Sequence, residues 1–261
     1  MYNYHVLNQW GGDQAPWHEG GAWVLGYRNN QGLTAIEISS SDNGHSFHGT
    51  ITYHGEGPIG FKATLICGNT YATENQWGGS SAPWHYGGHW VIGARDNQRC
   101  VALHVTSNDN GLNLFGTNTY AGEGPIGFKG NHTTKQHDNV ENQWGGNTAP
   151  WHAGGTWILT SRDNQGVNFI NLSGDGHTLT GAMEYAGEGP IGVTAKWVMG
   201  NTYNVTNQWG GNNAPWHPAG QWLIGGRDNQ RIHALDIKNN NGTCTYANEG
   251  PIGYKGAYEG A

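Results

Sequence analysis

The chain has 261 residues, with 12 Lys and Arg against 19 Asp and Glu and a formal net charge of −7. This acidic balance argues against nucleic acid as a partner, because phosphate binding needs clustered positive charge. No apolar run reaches the roughly 20 residues of a membrane-spanning helix. The start, Met1 to His5, has neither the basic nor the apolar segment of a signal peptide. We therefore expect a soluble protein without membrane insertion, cytoplasmic or released by a non-classical route.

The residue pattern predicts five β-strands in the first 67 residues, with clear alternation of apolar and polar residues in the last two, and no helical stripe of useful length is visible. In chain order the strands are Tyr4 to Gln9, Trp23 to Leu25, Ala35 to Ile38, Phe47 to Tyr53 and Ile59 to Leu65. Ser-Asp-Asn-Gly at Ser41 to Gly44 is typical of a tight hairpin between the third and fourth strands. The rest of the chain repeats this order, so twenty strands are expected.

The repeat is carried by Asn-Gln-Trp-Gly-Gly-x-x-Ala-Pro-Trp-His, which occurs four times and is followed each time by Gly-Glu-Gly-Pro-Ile-Gly or a near variant. Its first tryptophans, 67, 67 and 65 residues apart, are Trp10, Trp77, Trp144 and Trp209. An arginine follows 18 residues after each, while the distance from that arginine to the glutamate varies as 28, 28, 26 and 22. Length changes are thus confined to one hairpin, which predicts that Trp, Arg and Glu meet at a site.

A single five-stranded repeat would leave unpaired edges, which all-β proteins avoid by closing into barrels or radial arrays. We expect an all-β fold of two tandem, compact, ten-stranded antiparallel β-barrels, each built from two repeats. A single four-bladed propeller is the alternative. The barrels are expected at residues 1–133 (repeats 1–67 and 68–133) and 134–261 (repeats 134–199 and 200–261). The boundary lies in the segment Gly130 to Asp138, where the polar run Asn131-His132-Thr133-Thr134 replaces the expected last strand.

The tryptophans divide into three sets. Those inside strand patterns are expected in the core: Trp23, Trp90, Trp157 and Trp222. An indole face stacks well on the C–H face of a sugar, and neighbouring glycines let backbone N–H groups approach its hydroxyls. Binding is therefore predicted for the loops Trp10-Gly11-Gly12, Trp77-Gly78-Gly79, Trp144-Gly145-Gly146 and Trp209-Gly210-Gly211. The second tryptophan of each motif either binds or packs the loop: Trp17, Trp84, Trp151 and Trp216.

Each repeat also pairs a forked cationic donor with a carboxylate, which together can hold vicinal hydroxyls of a neutral sugar. The pairs are Arg28 with Glu56, Arg95 with Glu123, Arg162 with Glu188, and Arg227 with Glu249. A purely structural salt bridge is the alternative. The histidine after each second tryptophan, such as His18, lacks partners at metal-ligand spacing and is expected to pack the loop or its rim. No metal and no other cofactor is expected.

At these residues the chain resembles the Oscillatoria agardhii agglutinin family of high-mannose-binding lectins, in particular its four-repeat members of the Myxococcus haemagglutinin type. The resemblance covers essentially the whole chain. It implies two glycan sites on each ten-stranded barrel, with metal-independent binding of the branched α-mannose core of high-mannose N-glycans on cell or viral glycoproteins. It further implies a monomer with two barrels that cross-links such surfaces, agglutinates red cells and acts against viruses.

The resemblance also implies that each site takes its Trp-Gly-Gly loop from one repeat and its Arg, Glu and following Gly from the other. The implied sets are Trp10, Gly11 and Gly12 with Arg95, Glu123 and Gly124; Trp77, Gly78 and Gly79 with Arg28, Glu56 and Gly57; Trp144, Gly145 and Gly146 with Arg227, Glu249 and Gly250; and Trp209, Gly210 and Gly211 with Arg162, Glu188 and Gly189. Asn248 and the shortest hairpin mark the fourth repeat, so the site that uses Arg227 and Glu249 is expected to be the weakest.

Two other functions remain open from the residues themselves. A glycoside hydrolase also uses tryptophan platforms and glutamate, but it needs two carboxylates about 5–5.5 or 6.5–9.5 Å apart, and each repeat offers one well-placed glutamate. A non-catalytic protein-interaction array is the other alternative. The pattern favours a lectin that is not an enzyme.

Overall fold

The computed structural model describes residues 2–259, so the expected outer limits at residues 1 and 261 lie outside the described residues. The described part of the chain contains β-strands and no helix. It divides into two compact units, residues 2–135 and 136–259. The all-β prediction with twenty strands is confirmed. None of the described residues belongs to a helix that could cross a membrane.

The first unit contains ten strands: β1 (Tyr2–Gln9), β2 (His18–Leu25), β3 (Leu33–Ser39), β4 (Ser46–Tyr53), β5 (Ile59–Cys67), β6 (Thr70–Gln76), β7 (His85–Val91), β8 (Cys100–Thr106), β9 (Asn113–Tyr120) and β10 (Ile126–Thr134). They form a closed antiparallel barrel in the order β1-β10-β9-β8-β3-β4-β5-β6-β7-β2. The first strand of each repeat pairs with the last strand of the other repeat, with Gln9 opposite Gly127 and Gln76 opposite Gly60. The barrel therefore needs both repeats.

The second unit also contains ten strands: β11 (Asp138–Gln143), β12 (His152–Trp157), β13 (Val167–Gly174), β14 (Thr178–Tyr185), β15 (Ile191–Met199), β16 (Thr202–Gln208), β17 (His217–Leu223), β18 (Ile232–Lys238), β19 (Asn241–Tyr246) and β20 (Ile252–Tyr258). They form one ten-stranded sheet in the order β12-β11-β20-β19-β18-β13-β14-β15-β16-β17. A single bridge between Ile158, just past β12, and Leu223 in β17 links the two ends of this sheet. The twenty strands thus form two ten-stranded sheets, and the four-bladed alternative is wrong.

The polar run at the end of the first unit does not interrupt its last strand, contrary to the expectation. β10 continues to Thr134 because β1 lies beside it and supplies backbone partners, with Tyr4 opposite His132 and Asn3 opposite Thr134. The ring of His132 packs edge-on against Tyr2, with ring centroids 4.9 Å apart. Backbone pairing therefore extends the strand where the apolar pattern ends.

The core of each unit is filled by inward-facing aromatic side chains at alternate strand positions. In β1, Tyr4 and Val6 are fully buried, while His5 and Leu7 are half-buried. The tryptophans expected in the core are fully buried, which confirms that prediction: Trp23 and Trp90 in the first unit, Trp157 and Trp222 in the second. Because the core takes one face of every strand, the loops at the strand ends are left to present other side chains to solvent.

Candidate functional site

The loop that follows β1 holds a tryptophan at the surface. Gly11 and Gly12 adopt φ angles of +94° and +99°, which residues with a Cβ rarely adopt. The Ala15 N–H donates to the Gly12 carbonyl at 3.0 Å, and the side-chain amide of Gln9 donates to the Ala15 carbonyl at 2.6 Å. The loop is thus held by its own hydrogen bonds while 46% of Trp10 stays exposed. We call this segment and its three copies the Trp loops.

Each Trp loop covers one indole face with the histidine eight residues further on. Trp10 and His18 are stacked, with ring centroids 4.3 Å apart and planes 20° from parallel. The same geometry recurs in the other copies, with centroid separations of 4.2 to 4.4 Å. The expectation that this histidine packs the loop is confirmed. The stacking fixes the indole plane and leaves its opposite face as the available one.

The arginine and glutamate of each repeat lie together with a glutamine, and we call these three residues the Arg–Gln–Glu triad. Arg95 Nη1 donates to Glu123 Oε1 at 2.7 Å and to Gln98 Oε1 at 2.5 Å. Gln98 Nε2 in turn donates to Glu123 Oε1 at 3.0 Å. The Arg95 guanidinium lies over the Tyr120 ring, with Cζ 3.9 Å from its centroid. The salt bridge that was the structural alternative from the sequence is therefore present between Arg95 and Glu123.

Both hydrogen bonds to the glutamate end on the same carboxylate oxygen in all four repeats. Within residues 2–259, no group hydrogen-bonds the second carboxylate oxygen, Oε2, of these glutamates. These bonds hold the pKa of the four carboxyls below the ordinary value of 4.5; Arg is the larger cause for Glu56 and Glu188, and Gln for Glu123 and Glu249. The triad thus carries no net charge near neutral pH and offers an oriented acceptor, which suits a neutral polyol.

The Trp loop of one repeat faces the triad of the other repeat in the first unit. A cleft of about 620 Å³ is lined by Trp10, Gly11 and Gly12 on one side and by Glu123 and Gly124 on the other. The reason is strand pairing, since β1 ends beside the start of β10. The structure thus places these predicted site residues side by side, while their role in binding stays a prediction.

Strand pairing repeats this juxtaposition three more times. Gln76 lies opposite Gly60, Gln143 opposite Gly253, and Gln208 opposite Gly192, so each Trp loop follows a strand that pairs with the strand after the glutamate. In the second unit this pairing brings Arg227 close to the Trp144 loop, with the Arg227 Cζ 5.8 Å from the centroid of the Trp144 ring. Together with the loop of Trp10 beside Arg95 and Glu123, this gives the four combinations expected from the sequence. The other three are the loop of Trp77 with Arg28 and Glu56, the loop of Trp144 with Arg227 and Glu249, and the loop of Trp209 with Arg162 and Glu188.

The second tryptophan of the motif seats the loop on the partner repeat. Trp17 is half-buried, and its ring packs closely against Gly127, where an added Cβ would lie 3.1 Å from the indole. The Lys129 ammonium lies over the same ring, 4.1 Å from its centroid. Trp17 also lines the cleft. Its copies Trp84, Trp151 and Trp216 lie against Gly60, Gly253 and Gly192 in the same way.

The departure in the fourth repeat leaves the triad intact. Asn248 adopts the left-handed conformation, with φ of +63°, where Gly55, Gly122 and Gly187 stand in the other repeats. The Glu249 N–H still donates to the Tyr246 carbonyl at 3.1 Å, and Arg227 donates to Glu249 at 2.7 Å. Asparagine tolerates this conformation better than most residues, so the substitution preserves the turn. The expected weakness of this site stays a prediction without a geometric cause in the triad.

Two groups of residues around the site were not singled out from the sequence. The triad glutamines link arginine to glutamate: Gln31, Gln98, Gln165 and Gln230. Four buried tyrosines underlie the guanidinium groups: Tyr53, Tyr120, Tyr185 and Tyr246. Their signal is the fixed spacing, three residues after the arginine and three before the glutamate. Within the described residues, no cluster of three or more His, Cys, Asp or Glu side chains is placed to hold a metal ion.

Comparison with known proteins places this geometry in context. The model of the OAA-family lectin sugar-binding domain matches residues 2–66, 69–133, 138–198 and 201–259. The chain is 54% identical to lectin SfL-1 of Solieria filiformis over 97% of its own length and 98% of that lectin. It matches the crystal structure of Burkholderia oklahomensis agglutinin with a TM-score of 0.94 at 55% identity, covering 99% of this chain and 95% of that one.

A further solved structure contains a sugar. The crystal structure of the Myxococcus xanthus hemagglutinin, in complex with α3,α6-mannopentaose, matches with a TM-score of 0.95 at 50% sequence identity. The match covers 98% of this chain and 99% of the hemagglutinin.

Proposed function

Because this chain belongs to the OAA-family lectins, we propose that it is a mannose-binding agglutinin that recognises the branched α-mannose core of high-mannose N-glycans. The observation that carries the proposal is the fourfold juxtaposition of a Trp loop with a charge-neutral Arg–Gln–Glu triad. The hemagglutinin that was crystallised with α3,α6-mannopentaose matches nearly the whole chain.

The geometry suggests how a mannose branch is held. The open indole face of Trp10 stacks on the C–H face of one ring, while the glycines beside it let the backbone approach the sugar hydroxyls. The free Oε2 of Glu123 accepts from one hydroxyl, and the remaining donors of Arg95 reach the oxygen of its neighbour. Binding then needs no metal ion.

The chemistry favours binding over hydrolysis. Asp13 also lines the first cleft, but Ser80, Asn147 and Asn212 occupy its place in the other repeats. The carboxylate that all four sites share is therefore the triad glutamate, whereas glycoside hydrolysis uses a pair. The family consists of lectins, which bind sugars without transforming them.

Four sites on one chain provide cross-linking without further assembly. Once one site holds a glycan-bearing surface, a second site binds at high effective concentration. We infer that a monomer suffices to agglutinate cells or virions that display high-mannose glycoproteins, with each of the two units acting as a two-site domain. We also infer that the second domain is a closed barrel like the first. The bridge between Ile158 and Leu223 supports this inference, since it occupies the place of the Val24–Val91 pair that joins β2 to β7.

Retention on mannan resin tests the lectin proposal. We expect the full chain to be retained with and without a chelator and to be released by free mannopentaose. The matched variant changes Glu56, Glu123, Glu188 and Glu249 to Gln, which removes partly exposed salt bridges worth roughly 0–1 kcal/mol each, so it should fold but not be retained. Failure of the wild type to bind, full retention of this variant, or release of mannose from a high-mannose oligosaccharide would each contradict the proposal.

A further inference from the structure

One position breaks the repeat pattern at the first strand of the second unit. Tyr4, Tyr71, Asp138 and Tyr203 are equivalent, because each lies opposite the core tryptophan of its own repeat. The three tyrosines are fully buried. Each donates its hydroxyl to a carbonyl in a hairpin of the other repeat, to Gly111, Gly44 and Gly176 respectively, at 2.6 to 2.9 Å. Asp138 is too short to make the corresponding contact.

The hairpin that would meet Asp138 is also the shortest of the four. Six residues connect β3 to β4 and six connect β8 to β9, whereas Asn239 and Asn240 alone connect β18 to β19. Both asparagines adopt positive φ, as a two-residue hairpin turn of type I′ requires. In the first unit the longer hairpin reaches back to Gly32, whose N–H donates to Asn110 Oδ1 at 2.9 Å. The two-residue turn is too short to place an equivalent tip above Gly166 in the second unit.

The two changes together leave a cavity inside the second unit. It measures about 250 Å³ and has apolar walls that include Leu159, Phe169 and Ile237. An apolar cavity of about 150 Å³ is large enough to hold a benzene ring. Tyr258 lines the cavity and is 54% exposed, so the cavity lies next to the surface of the unit. The cavity is thus large enough for a ring with a short side chain.

Asp138 is the acidic group that lines this cavity, and no lysine, arginine or histidine of the described chain lines it. Within the described residues, no group hydrogen-bonds its carboxylate. Burial raises its pKa to about 6, and burial together with Asp138 raises the pKa of Tyr254 in the same cavity. A desolvated carboxylate without a partner is costly, and a bound cation offsets that cost.

We propose that this cavity binds a small primary ammonium ion that carries one compact apolar group, such as an arylalkylammonium. The ammonium donates to the Asp138 carboxylate, and the apolar group lies between Leu159, Phe169 and Ile237. None of these residues belongs to a Trp loop or a triad, so the site is additional to the glycan sites. Its ligand chemistry also differs, since the glycan sites are built for a neutral polyol.

Titration of the full chain with benzylamine at pH 7.5, followed by calorimetry or ligand-observed NMR, tests the proposal. Benzyl alcohol is the neutral ligand of matched shape. We expect benzylammonium to bind the wild type and benzyl alcohol to bind about tenfold more weakly, because a hydrogen bond to a charged group is lost. Equal binding of the two ligands, or no binding of benzylammonium, would overturn the proposal.

Two variants assign the site. Asp138→Asn keeps the shape of the side chain and removes its charge, so we expect about tenfold weaker binding of benzylammonium. Asp138→Tyr restores the residue found at Tyr4, Tyr71 and Tyr203 and fills the cavity, so binding should disappear. Retention on mannan resin should be unchanged in both variants, which reports that they fold. If Asp138→Tyr fails to fold, Asp138→Asn alone decides the matter; unchanged binding by a folded variant would refute the assignment.

Discussion

His18 lies stacked on Trp10, with ring centroids 4.3 Å apart, and the pair recurs in all four repeats. The two side chains belong to one loop and to the start of the strand that follows it, so the stacking does not depend on a ligand. A platform that is already oriented binds with a smaller loss of conformational freedom than a mobile one. We therefore expect the histidine to contribute to affinity by positioning the tryptophan.

Replacing His18, His85, His152 and His217 by alanine should weaken glycan binding. An aromatic pair contributes about 0.5–1.5 kcal/mol beyond its buried area, so we expect a roughly 2- to 13-fold loss of affinity per site. Calorimetric titration with mannopentaose measures it. The control is His45→Ala, in the exposed β3–β4 hairpin. Unchanged affinity in the fourfold variant would show that the tryptophan keeps its orientation without the histidine.

Glycan binding should persist at mildly acidic pH. The triad bonds lower the pKa of each glutamate below 4.5. The accepting carboxylate therefore remains ionised as the pH falls toward 4.5, and glycan binding should be lost only below that pH. Replacing Gln31, Gln98, Gln165 and Gln230 by alanine removes a donor and should move the loss of binding to higher pH. Affinity measured between pH 7 and 4 checks both statements. A variant with a parallel pH profile and a uniform loss would indicate that the glutamine acts only by packing.

Agglutination should fall stepwise as the sites are removed one by one. Glu123→Gln disables one site, and adding Glu56→Gln, Glu249→Gln and Glu188→Gln disables the others. Because cross-linking needs at least two sites on one chain, agglutination should vanish when one site is left, while that site still binds mannopentaose with unchanged affinity. Glu37→Gln is the control, since Glu37 pairs with His104 outside the Trp loops and triads. Abolition of agglutination by a single change would contradict the presence of four independent sites.

A side chain at the second glycine of the Trp loop should lower stability for conformational reasons alone. A Cβ added to Gly12 meets nothing within 4 Å, yet its φ is +99°. We expect Gly12→Ala to lower the free energy of unfolding by about 1 kcal/mol, as measured by denaturant unfolding. Gly57→Ala is the matched control for stability, because its Cβ also meets nothing and its φ lies outside the left-handed region. Equal stability of the two variants would show that the loop relaxes without strain.

The sequence by itself determined the local features of this protein. Alternation along Phe47 to Tyr53 predicted a strand because it depends on neighbouring residues only, and the Gly-Gly pair after Trp10 predicted a loop because of its backbone freedom. Constant spacing marked the Trp, Arg and Glu of each repeat as candidate site residues, for example Trp10, Arg28 and Glu56 in the first repeat. Burial of Trp23 followed from its place within a strand pattern.

Tertiary structure decided which of these parts meet. Trp10 faces Glu123 of the other repeat because β1 pairs with β10, and such a pairing joins residues more than a hundred positions apart, beyond the reach of any local pattern. Gln98 links Arg95 to Glu123 by two hydrogen bonds, and this link is visible only in the tertiary structure. The cavity at Asp138 likewise arises from a short side chain and a short hairpin that are distant in sequence. Only long-range strand pairing, which joins segments distant in the sequence, brings them to one place.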